Sequence, residues 1–156
     1  MISAVYVHTN LIAHDWHALA HFYEHIFGCV PVPPERHLSD RWLEELAGVP
    51  GAQIQGIHLR LPGHGPKGPT LEIFQYTPER EKTQAQANRP GFAHIAFSVE
   101  NVQEALDAVT DAGGRPLGKL IQADIPGAGH LTAVYALDPE GNMIELQRWS
   151  SAGLNG

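Results

Sequence analysis

Several things are scarce in this chain, and each scarcity narrows its function. Cys29 is the only cysteine among the 156 residues, so an internal disulfide and a cysteine-based zinc site are both excluded. Basic residues are few and scattered: ten Lys and Arg stand against seventeen Asp and Glu, a net charge of -7. That balance argues against nucleic acid or an anionic membrane as a partner. No apolar run is long enough to span a bilayer, and no basic segment precedes an apolar one at the start, so a cytoplasmic protein is expected. What is present suffices for a core: 43% of the residues are hydrophobic, and the length suits one domain, residues 1–156.

Hydrophobic patterning divides the chain into elements. Residues 4–10 alternate as a strand, with Tyr6 and His8 on one face. Asp15 caps a helix over 16–27, with Leu19, Phe22, Tyr23 and Ile26 as its apolar stripe and Gly28 as its stop. A short strand at 29–32 is expected to end at Pro33-Pro34. Ser39 then caps a helix over 40–47, placed either to cover a pocket or to meet a partner. Strands follow at 53–61 and 70–76. Residues 77–90 are polar and aperiodic and read as a linker. Beyond it come a strand at 91–99, a helix over 102–112 opened by Asn101 and Glu104 in capping-box spacing, and strands near 115–121, at 132–137 and at 143–148. The stretch after 121 is expected to be a loop, and residues 150–156 to fray.

The two halves repeat one another. Module one covers about 4–76 and module two about 91–148, each strand–helix–strand–strand–strand. His8 precedes the cap Asp15 by seven residues, as His94 precedes the cap Asn101. Leu71-Glu72-Ile73 on the last strand of one half matches Ile144-Glu145-Leu146 on the last strand of the other. A lone His or Glu on a strand is usually solvated or hydrogen-bonded structure. Matched pairs in both halves point instead to a shared purpose. Two imidazoles and two carboxylates form a nitrogen–oxygen set suited to one divalent first-row ion (Ni, Mn, Co, Zn or Fe) with open positions for a substrate.

Other residues lie within reach of such a centre. On 57–61, His58 and Arg60 share the face opposite Ile57, Leu59 and Leu61. His58 suits an acid–base or supporting role and Arg60 a bidentate grip on a carboxylate or phosphate, although a plain cross-strand polar pair fits both equally. Tyr6, Phe74 and Met143 share faces with His8, Glu72 and Glu145 and would wall a pocket. His130, in a Gly-rich stretch, either closes over the site or is a surface histidine. His17, His21 and His25 fall outside the apolar stripe of their helix and read as a solvated face.

The turn Asp138-Pro139-Glu140-Gly141-Asn142 leading into Ile144-Glu145-Leu146, the order of elements, and Asp15 to Gly28 with Phe22-Tyr23 and Phe27-Gly28 resemble the vicinal oxygen chelate superfamily. The resemblance covers roughly residues 4–148. It implies an α+β fold of two βαβββ modules, a curved mixed β-sheet with helices on its outer face, and often a homodimer. It places His8, Glu72, His94 and Glu145 at the four ligand positions of glyoxalase I. Methylmalonyl-CoA epimerase is similar, usually with Gln where Glu72 stands. Extradiol dioxygenases use only the positions of His8, His94 and Glu145, on Fe(II). The sequence departs from glyoxalase I at Ile12, where that enzyme carries Arg to hold a glutathione carboxylate, and at Tyr76, where it carries Asn; both departures argue against ordinary glutathione-dependent glyoxalase I activity. The expected activity is therefore a metal-dependent lyase or isomerase acting through an enediolate on a small substrate with vicinal oxygens. Glu72 or Glu145 would be ligand and proton shuttle, and His58 an acid–base group. An Fe(II) extradiol-type dioxygenase and a non-catalytic small-molecule binding protein are the alternatives.

Overall fold

The computed structural model describes residues 1–150. The chain forms two compact units, Met1–Lys82 and Thr83–Gly156, which divide inside the polar stretch read as a linker. The expected fraying of 150–156 lies outside the described residues except at Ser150, which ends the last strand.

In the first unit, β1 (His8–Ile12), α1 (Trp16–Phe27), β2 (Val30–Leu38), α2 (Arg41–Ala47), β3 (Gln53–Arg60) and β4 (Thr70–Thr77) follow in order. The sheet order is β1-β4-β3-β2, with β1 parallel to β4 and the other pairs antiparallel. Asp15 caps α1 through its side chain, which accepts from the backbone N–H groups of His17 and Ala18 at 3.1 Å each. Gly28, at φ 67°, ends it in the left-handed conformation. The buried face of α1 holds Trp16, Leu19, Ala20, Phe22 and Tyr23, while Ile26 is only half-buried. Leu59, Leu71 and Ile73 are fully buried on one face of the sheet. His58, Thr70, Glu72 and Phe74 alternate with them and take the other face.

Three expectations for this unit change. The first strand begins at His8 rather than residue 4, because pairing with β4 starts at the His8–Thr70 register point. The strand after Cys29 does not stop at Pro33-Pro34 but runs on to Leu38. The two prolines fall inside a bulge between Val32 and Arg36, where no ladder N–H is needed of them. Asp40, not Ser39, is the cap of α2; its carboxylate accepts from Trp42 Nε1 at 3.3 Å instead of from the helix backbone.

The second unit repeats the plan with β5 (His94–Ser98), α3 (Val102–Asp111), β6 (Arg115–Pro116), β7 (Ile121–Ile125), β8 (Gly129–Leu137) and β9 (Met143–Ser150). Its sheet order is β5-β9-β8-β6, β7 also pairs with β8, and β5 is parallel to β9. The strand expected over 115–121 is thus two residues long, and the expected loop beyond it contains β7. Together β6 and β7 line β8 as β2 lines β3. The interruption even matches: four residues from Val32 to Arg36 span two of β3, and five from Pro116 to Ile121 span three of β8, an excess of two each time. Asn101 caps α3 by accepting from the N–H groups of Gln103 and Glu104 at 3.0 and 3.2 Å. Its own amide donates to the Glu104 carboxylate at 2.8 Å, so the box closes between side chains. Val102, Leu106 and Val109 form the buried face of α3.

Both sheets are mixed and each carries its own helix, as the α+β reading with βαβββ modules requires. Among the described residues no helix is long and apolar enough to cross a membrane.

Candidate metal centre

In the first unit the strand register builds a polar row across the sheet. Asn10 on β1 lies beside Glu72 on β4, and Glu72 lies opposite His58 on β3. Glu72 is buried, and three side chains converge on it. His58 Nε2 is 3.0 Å from Oε1, Asn10 Nδ2 donates to Oε2 at 3.2 Å, and His8 Nε2 stands 3.4 Å from Oε2. The other nitrogen of His58, Nδ1, is 3.3 Å from Thr70 Oγ1. Burial pushes the His58 imidazole below the ordinary histidine range; the Glu72 charge opposes that shift, and Arg36, His8 and Arg60 add to it. A neutral ring with these partners donates from Nε2 to Glu72 and accepts at Nδ1 from the threonine hydroxyl.

Phe74 lies two residues beyond Glu72 on the same face and meets the His58 ring edge-on at 5.7 Å between centroids. Gly56 lies opposite Phe74. A Cβ there would lie 2.1 Å from the Ile73 carbonyl oxygen and 2.6 Å from the Phe74 ring, so only glycine allows β4 and the Phe74 ring to approach β3 this closely. The helix α2 seats Leu43 on this same face, in a buried cluster with Ala52, Ile54 and Phe74, flanked by Leu38, Val49 and Tyr76. It therefore sets an apolar cluster beside the polar row, further along β3 and β4.

The second unit builds the same row with different side chains. Glu145 on β9 lies beside Ala96 on β5 and opposite Tyr135 on β8. His94 Nε2 is 3.1 Å from Glu145 Oε2, and the His94 ring leans on Tyr135 at 5.0 Å between centroids. No other side chain among the described residues bonds this carboxylate. The turn 138–142 sets the register. Asp138, fully buried, accepts at Oδ1 from the N–H groups of Glu140 and Asn142 at 3.0 and 2.8 Å and at Oδ2 from the Asn142 amide at 2.7 Å. That knot fixes where β9 begins, and hence which side chain of β8 faces Glu145.

Two donors each about 2.1 Å from an ion and at right angles to one another stand about 3 Å apart. Taken one at a time, the His94–Glu145 separation of 3.1 Å and the His8–Glu72 separation of 3.4 Å are each compatible with two adjacent positions on an octahedral ion. The donors are borderline nitrogen and hard oxygen, the set that first-row divalent ions take. Each unit thus carries one His–Glu pair at a spacing a metal ion could use. Among the described residues, no group of three or more His, Cys, Asp or Glu is gathered as a complete cage.

The structure sorts the remaining expected site residues. His58 and Arg60 do share the Glu72 face, and Met143 shares the face of Glu145 and is buried. Arg60 is half-buried and donates to the Gly68 carbonyl. Tyr6 lies before β1, exposed, with its hydroxyl on Thr9 Oγ1, so it walls nothing within its unit. His130 is on strand β8 rather than in a loop. Alternation gives it the face of Val134 and Ala136, away from Tyr135 and Glu145, and its Nδ1 pairs with Asp124 Oδ1 at 2.8 Å. Ile12 and Tyr76 bring apolar and aromatic surface, not charge, to the Glu72 face. His17, His21 and His25 are exposed, the last two stacked at 3.7 Å. Sequence reasoning missed Asn10, Thr70, Tyr135 and Arg36. Asn10 was within reach of it, being two residues beyond His8 and so on its face; the others need the cross-strand register.

A sheet whose first and last strands run parallel, repeated twice, with a His–Glu pair at the same point of each repeat, defines the vicinal oxygen chelate class. The match to known families agrees. Residues 7–134 match the model of the glyoxalase/bleomycin resistance protein/dioxygenase superfamily, and the chain belongs to that superfamily. Among solved structures it is similar to a glyoxalase family protein from Bacillus cereus, with 18% identity, TM-score 0.74 and coverage of 98% of this chain and 96% of that one. It is also similar to a genomically encoded fosfomycin resistance protein from Listeria monocytogenes, with 17% identity, TM-score 0.61 and coverage of 96% and 94%. A glyoxalase/bleomycin resistance protein/dioxygenase domain from Frankia sp. shares 18% identity at TM-score 0.56, covering 98% and 96%. No curated protein matches the sequence.

Proposed function

We propose that the chain is a metal-dependent lyase or isomerase that moves a proton at a carbon next to one of two vicinal oxygens of a small substrate. The observation that carries this reading is the recurrence of a His–Glu chelating pair at one register point of both sheets. His8, Glu72, His94 and Glu145 would hold the ion. When bound, a divalent ion supplies a positive charge that acidifies the neighbouring C–H. Glu72 is the fixed ligand: His58 and Asn10 hold its two oxygens, the carboxylate itself sets the tautomer of His58, and the Thr70 hydroxyl donates to the ring nitrogen left as acceptor. Glu145 is the proton acceptor, because its Oε1 has no partner among the described residues and is free to turn towards substrate. His58 thereby becomes a positioning residue rather than the acid–base group expected from its sequence context. Phe74 in the first unit and Met143 in the second put a buried apolar side chain on the face of each carboxylate, which limits water beside it.

Retention of Glu72, buried and held by its neighbours, supports this reading over a three-ligand iron dioxygenase or a sequestering protein. The test is reconstitution of the purified protein with Ni, Mn, Co, Zn or Fe(II), followed by proton exchange into hydroxyacetone in D2O observed by NMR. Stoichiometric uptake of an ion and metal-dependent exchange are expected. Failure to take up any of the five ions, or oxygen consumption with catechols in place of exchange, sinks the proposal.

A further inference from the structure

The histidines of α1 have no part in the His–Glu centre. His17, His21 and His25 follow one another about a turn apart on its exposed side. The helix packs against β3 and β4 on the sheet face of Leu59, Leu71 and Ile73, opposite Glu72. Equal spacing has not given the three rings equal surroundings. The His17 ring lies on the Trp16 indole, with centroids 3.6 Å apart and a tilt of 27°. His21 and His25 lie face to face with each other, at 3.7 Å and 22°. His25 is held in that place: its Nδ1 stands 2.9 Å from the His21 carbonyl oxygen. A carbonyl only accepts, so the proton of the neutral ring is on Nδ1 and the lone pair is on Nε2. Donation of one ring N–H to a backbone carbonyl is what metal-ligating histidines commonly do, because it fixes both tautomer and ring orientation. Among the described residues nothing bonds the His21 ring nitrogens, so either of them is available beside Nε2 of His25.

We propose that His21 and His25 chelate a divalent ion of the Cu(II), Ni(II) and Zn(II) class on the outer surface of the first unit, at a site independent of the His–Glu pairs. Nitrogens about 2.1 Å from one ion stand about 3.0 Å apart at right angles and about 3.4 Å apart at the tetrahedral angle. Rings centred 3.7 Å apart need only a slight splay to offer two nitrogens at that spacing. Two imidazoles without a protein oxygen select these borderline ions over Mg(II) and Mn(II), which prefer oxygen ligands. Water fills the remaining positions, since both rings are exposed. His17 has the same spacing from His21, but its ring is stacked on Trp16. The sequence pattern alone makes the three histidines equivalent; the ring geometry makes two of them the ligands.

Isothermal titration of the metal-free full chain with Zn(II) and Ni(II) tests this, comparing the parent with H17A, H21A and H25A. All three positions are exposed on a helix, where alanine is well tolerated, so the variants fold. An ion on α1 adds to any held by the His–Glu pairs, so it forms its own class in the isotherm. H21A and H25A should each weaken that class by at least about tenfold, and H17A by less than about twofold. In a second arm, stepwise addition of Cu(II) to the 15N-labelled parent should broaden the backbone signals around His21 and His25, an effect absent from H21A; Mn(II) should leave those signals sharp. Unchanged isotherms for H21A and H25A, a loss in H17A as large as theirs, or copper broadening that spares α1 overturns the proposal. None of these outcomes touches the reading of Glu72 and Glu145. An α1 class that persists in a chain without metal-dependent proton exchange upholds this site and sinks that reading.

Discussion

Glu72 and Glu145 occupy the same point in two sheets of the same strand order, each with a histidine two residues upstream on the neighbouring parallel strand. Their surroundings differ. Around Glu72 the neighbouring positions are filled by Asn10 and His58, both bonded to the carboxylate; around Glu145 the same positions hold Ala96 and Tyr135, which are not. One carboxylate is held and the other is left room to move. The repeated module has the same strand order and the same His–Glu pair in both halves while the side chains flanking each pair differ, and that difference is what the proposed division of roles rests on.

The sharpest way to break it is to neutralise each carboxylate in turn. In metal-loaded protein, Glu145→Gln should lower proton exchange into hydroxyacetone by about 10²–10⁴-fold, the usual worth of a positioned general base. Glu72→Gln should instead weaken metal affinity, leaving exchange at saturating ion within about tenfold of the parent. Equal losses of exchange in the two variants would falsify the division between them.

The next contrast removes what flanks each carboxylate. His58→Ala frees Glu72 Oε1 and should cost about 10–100-fold in metal affinity, as loss of an outer-shell partner does. Tyr135→Phe, at the matching position, removes a hydroxyl that bonds nothing in the site and should change affinity less than about twofold. Isothermal titration of both variants with the ion that binds the parent decides. A comparable loss in Tyr135→Phe would mean the second carboxylate is also held, through a contact the register does not reveal.

Backbone approach gives a third pair. Gly56 and Ala133 lie two residues before His58 and Tyr135 on matching strands, opposite Phe74 and Gln147. A methyl on Gly56 would meet the Ile73 carbonyl and the Phe74 ring, so Gly56→Ala should destabilise by about 1–3 kcal/mol. Ala133→Gly should cost only about 0.5–1 kcal/mol. Thermal melts of the two variants measure both, and a Gly56→Ala protein as stable as the parent would show that Phe74 has somewhere else to go.

These contrasts also mark how far the sequence could be read. Alternation along a strand is local, so the faces of His8, Glu72, His58 and Glu145, and the repeat that links them, were legible. The helices were legible for the same reason, since their caps and stripes span only a turn or two. Register between distant strands is not local. Arg36 was missed because Pro33-Pro34 reads as a stop unless a bulge is known to absorb it. His130 was set in a loop because Pro126, Gly127 and Gly129 hide a tight hairpin between β7 and β8. Tyr135 drew no notice because only the Asp138 knot, which sets the pairing of β8 with β9, puts it opposite Glu145.

The smallest expected effect concerns the part of the two modules that has not diverged. Asp15 and Asn101 hold nearly the same backbone conformation, φ -125°, ψ 95° and φ -134°, ψ 112°, and each accepts from the second and third N–H groups of its helix. The bonds are of nearly equal length, 3.1 and 3.1 Å against 3.0 and 3.2 Å. Asp15→Ala and Asn101→Ala should therefore each cost about 1 kcal/mol. The aspartate gains from its charge at the positive end of the helix dipole, while the asparagine gains from its bond to Glu104, which is itself lost in the alanine variant. Denaturant titrations monitored separately at Trp16, in the first unit, and Trp149, in the second, read each helix through its own module. Losses that agree within about 0.5 kcal/mol support caps conserved for folding while the carboxylates were free to part ways. A loss confined to one module would place the asymmetry in the scaffold as well as in the site.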